Sequence, residues 1–212
     1  QCEGAIMTKA CMVSSDCTQT NFNKATLDNA DMTGSIVVSA TFVEASMVSV
    51  TLDGVDAKYT FFTNANVTRA RCLDATFRTV DFQHAILEGA DFSSSTFNVA
   101  NMDHANMTGA KLEKVKFNDS TFVGSNMNGV FAPLATFVTV NFEKTILDGA
   151  DLKSSKLTSV TFVQASLIAT KMDQVSLEDS SFTASNLSKM RAHGCKFDNV
   201  QFDTEAPLTE AD

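Results

Sequence analysis

Residues 85–109 read Ala85-Ile86-Leu87-Glu88-Gly89, Ala90-Asp91-Phe92-Ser93-Ser94, Ser95-Thr96-Phe97-Asn98-Val99, Ala100-Asn101-Met102-Asp103-His104 and Ala105-Asn106-Met107-Thr108-Gly109. Each unit of five opens on a small residue, carries a bulky apolar residue third, and is mostly polar elsewhere. Outward from this stretch the bulky position recurs from Met7 to Phe202 with no insertion or deletion; its non-bulky members are Ala57, Ala132 and Ala192. The position two residues earlier is Ala, Ser, Val or Thr nearly throughout, with Met190 the one large exception. A period of five fits neither an α-helix nor an isolated strand. It fits a coil of square section. Residues two apart in an extended segment point to the same side, so the small and the bulky residue share the interior and the rest turn the corner. Four such sides close a coil of about twenty residues, and coils stack at the ~4.8 Å strand spacing.

A coil of twenty predicts vertical columns, and the sequence has them. Phe22, Phe42, Phe62, Phe82, Phe122, Phe142, Phe162, Phe182 and Phe202 fall on one side, interrupted by Met102. These nine phenylalanines are expected to form a single interior stack. Phe77, Phe97, Phe117 and Phe137 fall on a second side, whereas the side of Leu27, Leu87, Leu147, Leu167 and Leu187 has no aromatic. Gly89, Gly109, Gly129 and Gly149 form a file at one corner, where a turn with positive φ suits Gly.

The units resemble the pentapeptide-repeat family, whose consensus is A(D/N)LXX; Ala30-Asp31-Met32-Thr33-Gly34, Ala105-Asn106-Met107-Thr108-Gly109 and Ala150-Asp151-Leu152-Lys153-Ser154 are close copies. The resemblance covers residues 5–203. It implies an all-β right-handed quadrilateral parallel β-helix of about ten coils and ~45–50 Å. One solenoid is expected over 1–203, followed by a short acidic tail over 204–212. Lys58-Tyr59, Phe131-Ala132-Pro133-Leu134 and the run from Met190 to Cys195 depart from the repeat, and a bulge or loosened coil is expected there.

Twenty-five acidic against 16 basic residues give a formal net charge of -9, which disfavours direct contact with nucleic-acid phosphate or anionic lipid. No apolar run reaches the roughly 18–20 residues of a membrane span, and no secretory h-region is present. The start at Gln1 without Met leans towards a processed, exported or thylakoid-lumen protein. A solenoid exposes an apolar layer and unpaired edges at its ends, and the repeat holds almost to both. An end-to-end partner is therefore expected, as in a homodimer or an assembly subunit.

Cys17, Cys72 and Cys195 take inward positions, which predicts buried free thiols. Cys2, Cys11 and Cys17 cluster in the first coil, where a disulfide would tie down the terminus. His84 and His104 lie twenty apart and should stack at one corner, but two histidines make a poor zinc site. Arg71, Asp91 and Lys111 share an outward column, as do Asp151 and Lys171, and are expected to pair between coils. The sequons at Asn66, Asn106, Asn118 and Asn186 arise from the repeat itself. Thr41, Thr121 and Thr161 with Val43, Val123 and Val163 make no ice-binding plane, since Phe61, Asp81, Asn101 and Asn141 interrupt the row. No nucleophile–base pair, phosphate loop or metal-ligand spacing emerges, so no catalytic, cofactor-binding or metal residue is assigned. The expected function is a non-enzymatic structural or protein-interaction module, similar to the cyanobacterial and thylakoid-lumen members of the family. The alternative implied by the resemblance is a DNA mimic that binds a type II topoisomerase such as gyrase.

Overall fold

The computed structural model describes residues 1–202; the tail over 204–212 lies outside the described residues. Each quintet forms one side of a square coil. Its first and third residues point inward, its second and fourth outward, and its fifth turns the corner. We number the faces 1 to 4 by their bulky columns, from Phe22, Leu27, Met32 and Val37 respectively. Face 4 carries a continuous parallel sheet: β1 (Asp56–Lys58), β2 (Thr76–Asp81), β3 (Thr96–Asn101), β4 (Lys116–Thr121), β5 (Thr136–Asn141), β6 (Lys156–Thr158), β7 (Ser176–Glu178) and β8 (Lys196–Asp198). Each strand pairs with the next at a register of twenty, as in Phe77 with Phe97, then Phe117, then Phe137. Elsewhere the coils meet through single bridges at the same spacing, from Ile6 with Thr26 to Ser181 with Gln201. The sheet spans seven turns between β1 and β8, fewer than the ten coils expected; before Asp56 pairing is limited to isolated bridges.

The backbone accounts for the repeat. The third amide donates to the next coil (Phe22 to the Thr41 carbonyl, 2.7 Å), as does the fifth (Lys24 to Val43, 2.9 Å). The second donates to the coil before (Thr41 to Thr20, 3.0 Å), and the first closes the turn (Ala25 to Phe22, 3.0 Å). Among the described residues outside the strands of face 4 the fourth amide takes no backbone acceptor. Asp or Asn at the second position supplies one two residues away: Asp31 Oδ1 accepts from Thr33 N at 3.0 Å, and Asp91 Oδ1 from Ser93 N at 3.1 Å. Where the second position cannot serve, Asp at the fourth position of the preceding coil does so; Asp28 accepts from Val48 N at 3.0 Å and Asp148 from Ile168 N at 2.9 Å. A backbone donor left unpaired is costly, which is why the repeat favours Asp or Asn there.

Every fifth residue from Gly4 to Asn199 has φ in the left-handed region, and all nine glycines of the chain sit in this position. The other occupants include Tyr59, Thr79, Val99, Leu134 and Thr139. A non-Gly residue there costs roughly 1–2 kcal/mol, a strain imposed by the two bonds that fix each corner.

The interior is filled. Phe22, Phe42, Phe62 and Phe82 stack with centroids 4.9, 5.0 and 4.5 Å apart; Phe122, Phe142, Phe162 and Phe182 continue at 5.0, 5.0 and 4.8 Å beyond Met102. The second stack, Phe77 to Phe137, meets the first edge-on, as in Phe117 against Phe122 at 4.9 Å and 73°. Phe202 stacks on Phe182 at 5.2 Å but is 38% exposed, because no described coil covers it. Buried hydroxyls at the small position donate to carbonyls of the coil before: Thr60 to Val37, Thr145 to Phe122 and Thr170 to Leu147, at 2.7–2.8 Å. The expected loosened coils do not occur at Tyr59 or Phe131, where the register of twenty runs through. The misfit side chains point into solvent instead, with Tyr59, Phe131 and Leu134 all exposed. At Met190 to Cys195 the register also holds, through Lys171 with Arg191, while exposure rises in this last full coil.

Candidate functional site

Side chains fill the core among the described residues, so the faces and corners of the coil are the surfaces a partner or ligand meets. Face 1 carries Glu3, Glu44, Asp81, Asp103 and Glu143 against Lys24 and Lys144, the largest acidic surplus of the four. Face 3 is a mixed-charge ladder. Lys111 lies 3.8 Å from Asp91 and Lys171 4.0 Å from Asp151, as the columns predict. Arg71 departs from its column: it turns to Asp53 at 2.6 Å, while Asp91 pairs with Lys111. Asp173 gathers Lys153 (3.9 Å), Arg191 (2.9 Å) and His193 (3.4 Å), tying the last coil to those below. Four of the acidic residues, Asp203, Glu205, Glu210 and Asp212, fall in the last ten of the sequence.

Two surface hollows stand out. One, of about 350 Å³, opens over Gly34 and Gly54 and is flanked by Asp53, Arg71 and Asp74. The other, of about 290 Å³, lies on the corner between faces 4 and 1 and is lined by Tyr59, Phe61 and Val99 together with Thr79, Val80, Asp81 and Asn101. Those three apolar side chains are 48%, 47% and 52% exposed. Tyr59 and Val99 both hold φ 57, and the Lys58 ammonium lies 4.9 Å from the Tyr59 ring centroid. The repeat marks Lys58-Tyr59 as irregular, but Phe61 and Val99 join it only once the coil is closed. The legible signal was a β-branched residue at a position where Gly, Ser and Asn are at home.

All five cysteines are free thiols: Cys2 is half-buried, Cys11 exposed, Cys17 and Cys72 buried, Cys195 half-buried. Burial pushes the Cys72 thiol well above its ordinary value, helped by the charges of Asp53 and Asp91. Burial also raises Cys17, beside Asp16 and Cys2. Cys195 Sγ donates to the Met172 carbonyl at 2.8 Å, standing in for the hydroxyls that do so elsewhere. His84 and His104 stack with centroids 5.1 Å apart and planes 10° apart. The sequon asparagines Asn66, Asn106 and Asn186 are held in their turns, each Oδ1 accepting from the hydroxyl two residues on at 2.6–2.7 Å. Asn118 lies on another face and donates to Asn98 at 2.9 Å. Among the described residues no group of three metal-ligating side chains occurs, and no helix is long and apolar enough to cross a membrane.

Comparison with known proteins gives the same repeat. The full-length fluoroquinolone resistance protein QnrB1, plasmid-mediated by its description, superposes with a TM-score of 0.53 at 13% identity, covering 84% of this chain and 90% of its own. HetL, a pentapeptide repeat protein involved in heterocyst differentiation regulation in the cyanobacterium Nostoc, matches with a TM-score of 0.41 at 15% identity, covering 98% and 86%. A pentapeptide repeat protein of the Arabidopsis thaliana thylakoid lumen matches at 28% identity over 56% of this chain and 66% of its own, with a TM-score of 0.24. No curated protein matches. The family described as pentapeptide repeats matches in eight copies, at residues 1–37, 10–47, 45–83, 62–98, 77–113, 92–129, 135–170 and 162–199, and the chain belongs to that family.

Proposed function

We infer that this chain is a non-enzymatic interaction module that docks a protein partner at the corner between faces 4 and 1. The exposed trio of Tyr59, Phe61 and Val99 carries this reading. Exposed aromatic and aliphatic side chains around a hollow are the anatomy of an interface centre. Here the coil already fixes the backbone that carries them, so that docking orders only the side chains. The rest of that corner column is polar, with Ser39 and Thr79 beside them and Asp119 beyond. The test is crosslinking capture from the source cell, comparing the native chain with a Tyr59→Ser, Phe61→Asn, Val99→Asn variant. A partner retained equally by both removes this corner from the reading. An end-to-end contact between copies is a separate part of this reading; light scattering that finds a strict monomer at high concentration removes it.

The acidic surplus of face 1 favours one second reading, a DNA mimic acting on a type II topoisomerase such as gyrase. Against it stand the pairing of acids with cations on face 3 and the gathering of acid charge in the last ten residues. Gyrase supercoiling unaffected by excess protein discards it.

A further inference from the structure

The stacked histidines on the corner between faces 1 and 2 take no part in the interface above. We propose that His84 and His104 form a two-point site for a divalent late transition metal of the Ni²⁺ and Cu²⁺ class, with water completing the coordination. Both rings project from corner residues of successive coils, both are exposed, and their centroids stand 5.1 Å apart. A metal–imidazole bond is about 2.0–2.1 Å, so one ion held by two nitrogens keeps them roughly 3–4 Å apart. Binding requires both rings to leave the parallel stack by rotating about their own side-chain bonds, so that one in-plane nitrogen of each converges on the ion. No backbone shift is required, because the ladder fixes the two residues one rung apart: His84 N donates to the Asp103 carbonyl at 3.0 Å and His104 N to Val123 at 2.9 Å. Imidazole nitrogen selects these metals over Mg²⁺ or Ca²⁺, which prefer oxygen.

Three features of the surroundings define the site. The corner residue of the next coil is Gly124, where a Cβ would stand 2.8 Å from His104 Nδ1. The left-handed φ does not by itself demand Gly, since Lys24, Glu44, Asn64 and Lys144 adopt it in the same column; the missing side chain leaves the ring its place. The neighbouring carboxylate Asp103 is engaged elsewhere, its Oδ1 accepting from Thr121 and Val123 N at 2.7 Å each. The cations of face 1, Lys24 and Lys144, stand two or more coils away and do not repel an incoming ion.

The chain has three histidines, so His193 serves as an internal reference in proton NMR. Ni²⁺ is the probe, because the exposed Cys11 thiol would reduce Cu²⁺. The expected result is paramagnetic broadening of the His84 and His104 ring signals together at substoichiometric Ni²⁺, with His193 still sharp. Calorimetry should show His84→Asn weakening Ni²⁺ binding about tenfold or more. That substitution repeats the Asn64 found one coil earlier, so the fold tolerates it. Gly124→Asn, which crowds His104 without altering either donor, should weaken binding as well. Broadening of all three histidines at one Ni²⁺ concentration, or a His84→Asn titration like that of the native chain, overturns the proposal.

Discussion

At the scale of the residue, the corner position governs both cost and exposure. Val99 combines a β-branched side chain with φ 57 and is half exposed, so it carries strain with little burial in return. Val99→Asn, which suits the left-handed region, is expected to stabilise the fold by about 1 kcal/mol and to raise the melting temperature measured by circular dichroism. An unchanged or lower value would show that the Val99 side chain contributes packing that offsets its strain. The cysteines separate by the same criterion of exposure. Burial holds the Cys72 thiol far from thiolate formation at neutral pH. A thiol reagent should label Cys11 within minutes and reach Cys72 after denaturant is added, read by intact mass. Labelling of Cys72 in the native state would mean that the coil opens locally.

At the scale of the element, stability comes from columns rather than from any single coil. Phe97 stacks on Phe77 at 4.5 Å and Phe117 at 4.3 Å and meets Phe82 and Phe92 edge-on. Phe97→Ala is expected to cost about 3–5 kcal/mol in urea denaturation, against about 2–5 kcal/mol for Leu167→Ala on face 2. Equal losses at the low end of that range would show that the aromatic contacts add nothing beyond size. The columns were legible because a strict period of five sorts again by twenty. The edge-on contact between the stacks of faces 1 and 4 was not, since it depends on the angle at which two sides of the coil meet. The pairing of Arg71 departs from its column for a related reason. A column gives which residues are adjacent along the rod, but a long side chain also reaches diagonally to Asp53.

At the scale of the molecule, a solenoid is a chain of nearest-neighbour interfaces, so damage should remain local. Asp173 joins Lys153, Arg191 and His193 across successive coils. Asp173→Asn should weaken the last described coil by about 1 kcal/mol, given the exposure of its partners. Hydrogen exchange would then quicken over residues 191–202 and stay unchanged over 85–109. A uniform rise in exchange along the rod would mean that the coils unfold as one unit.

The sequence by itself determined the coil: which residues face inward, how many make a side, and which phenylalanines share a stack. It could do so because inward and outward alternation is a local property of extended backbone, and a repeat without insertions carries that property along the whole chain. The tertiary structure alone decided that Tyr59, Phe61 and Val99 surround one hollow, and that Gly124 leaves room for His104. It also decided that the irregular units at Tyr59 and Phe131 keep the register rather than bulge. Those outcomes depend on side chains from different coils and faces, whose distances exist only after the square has closed.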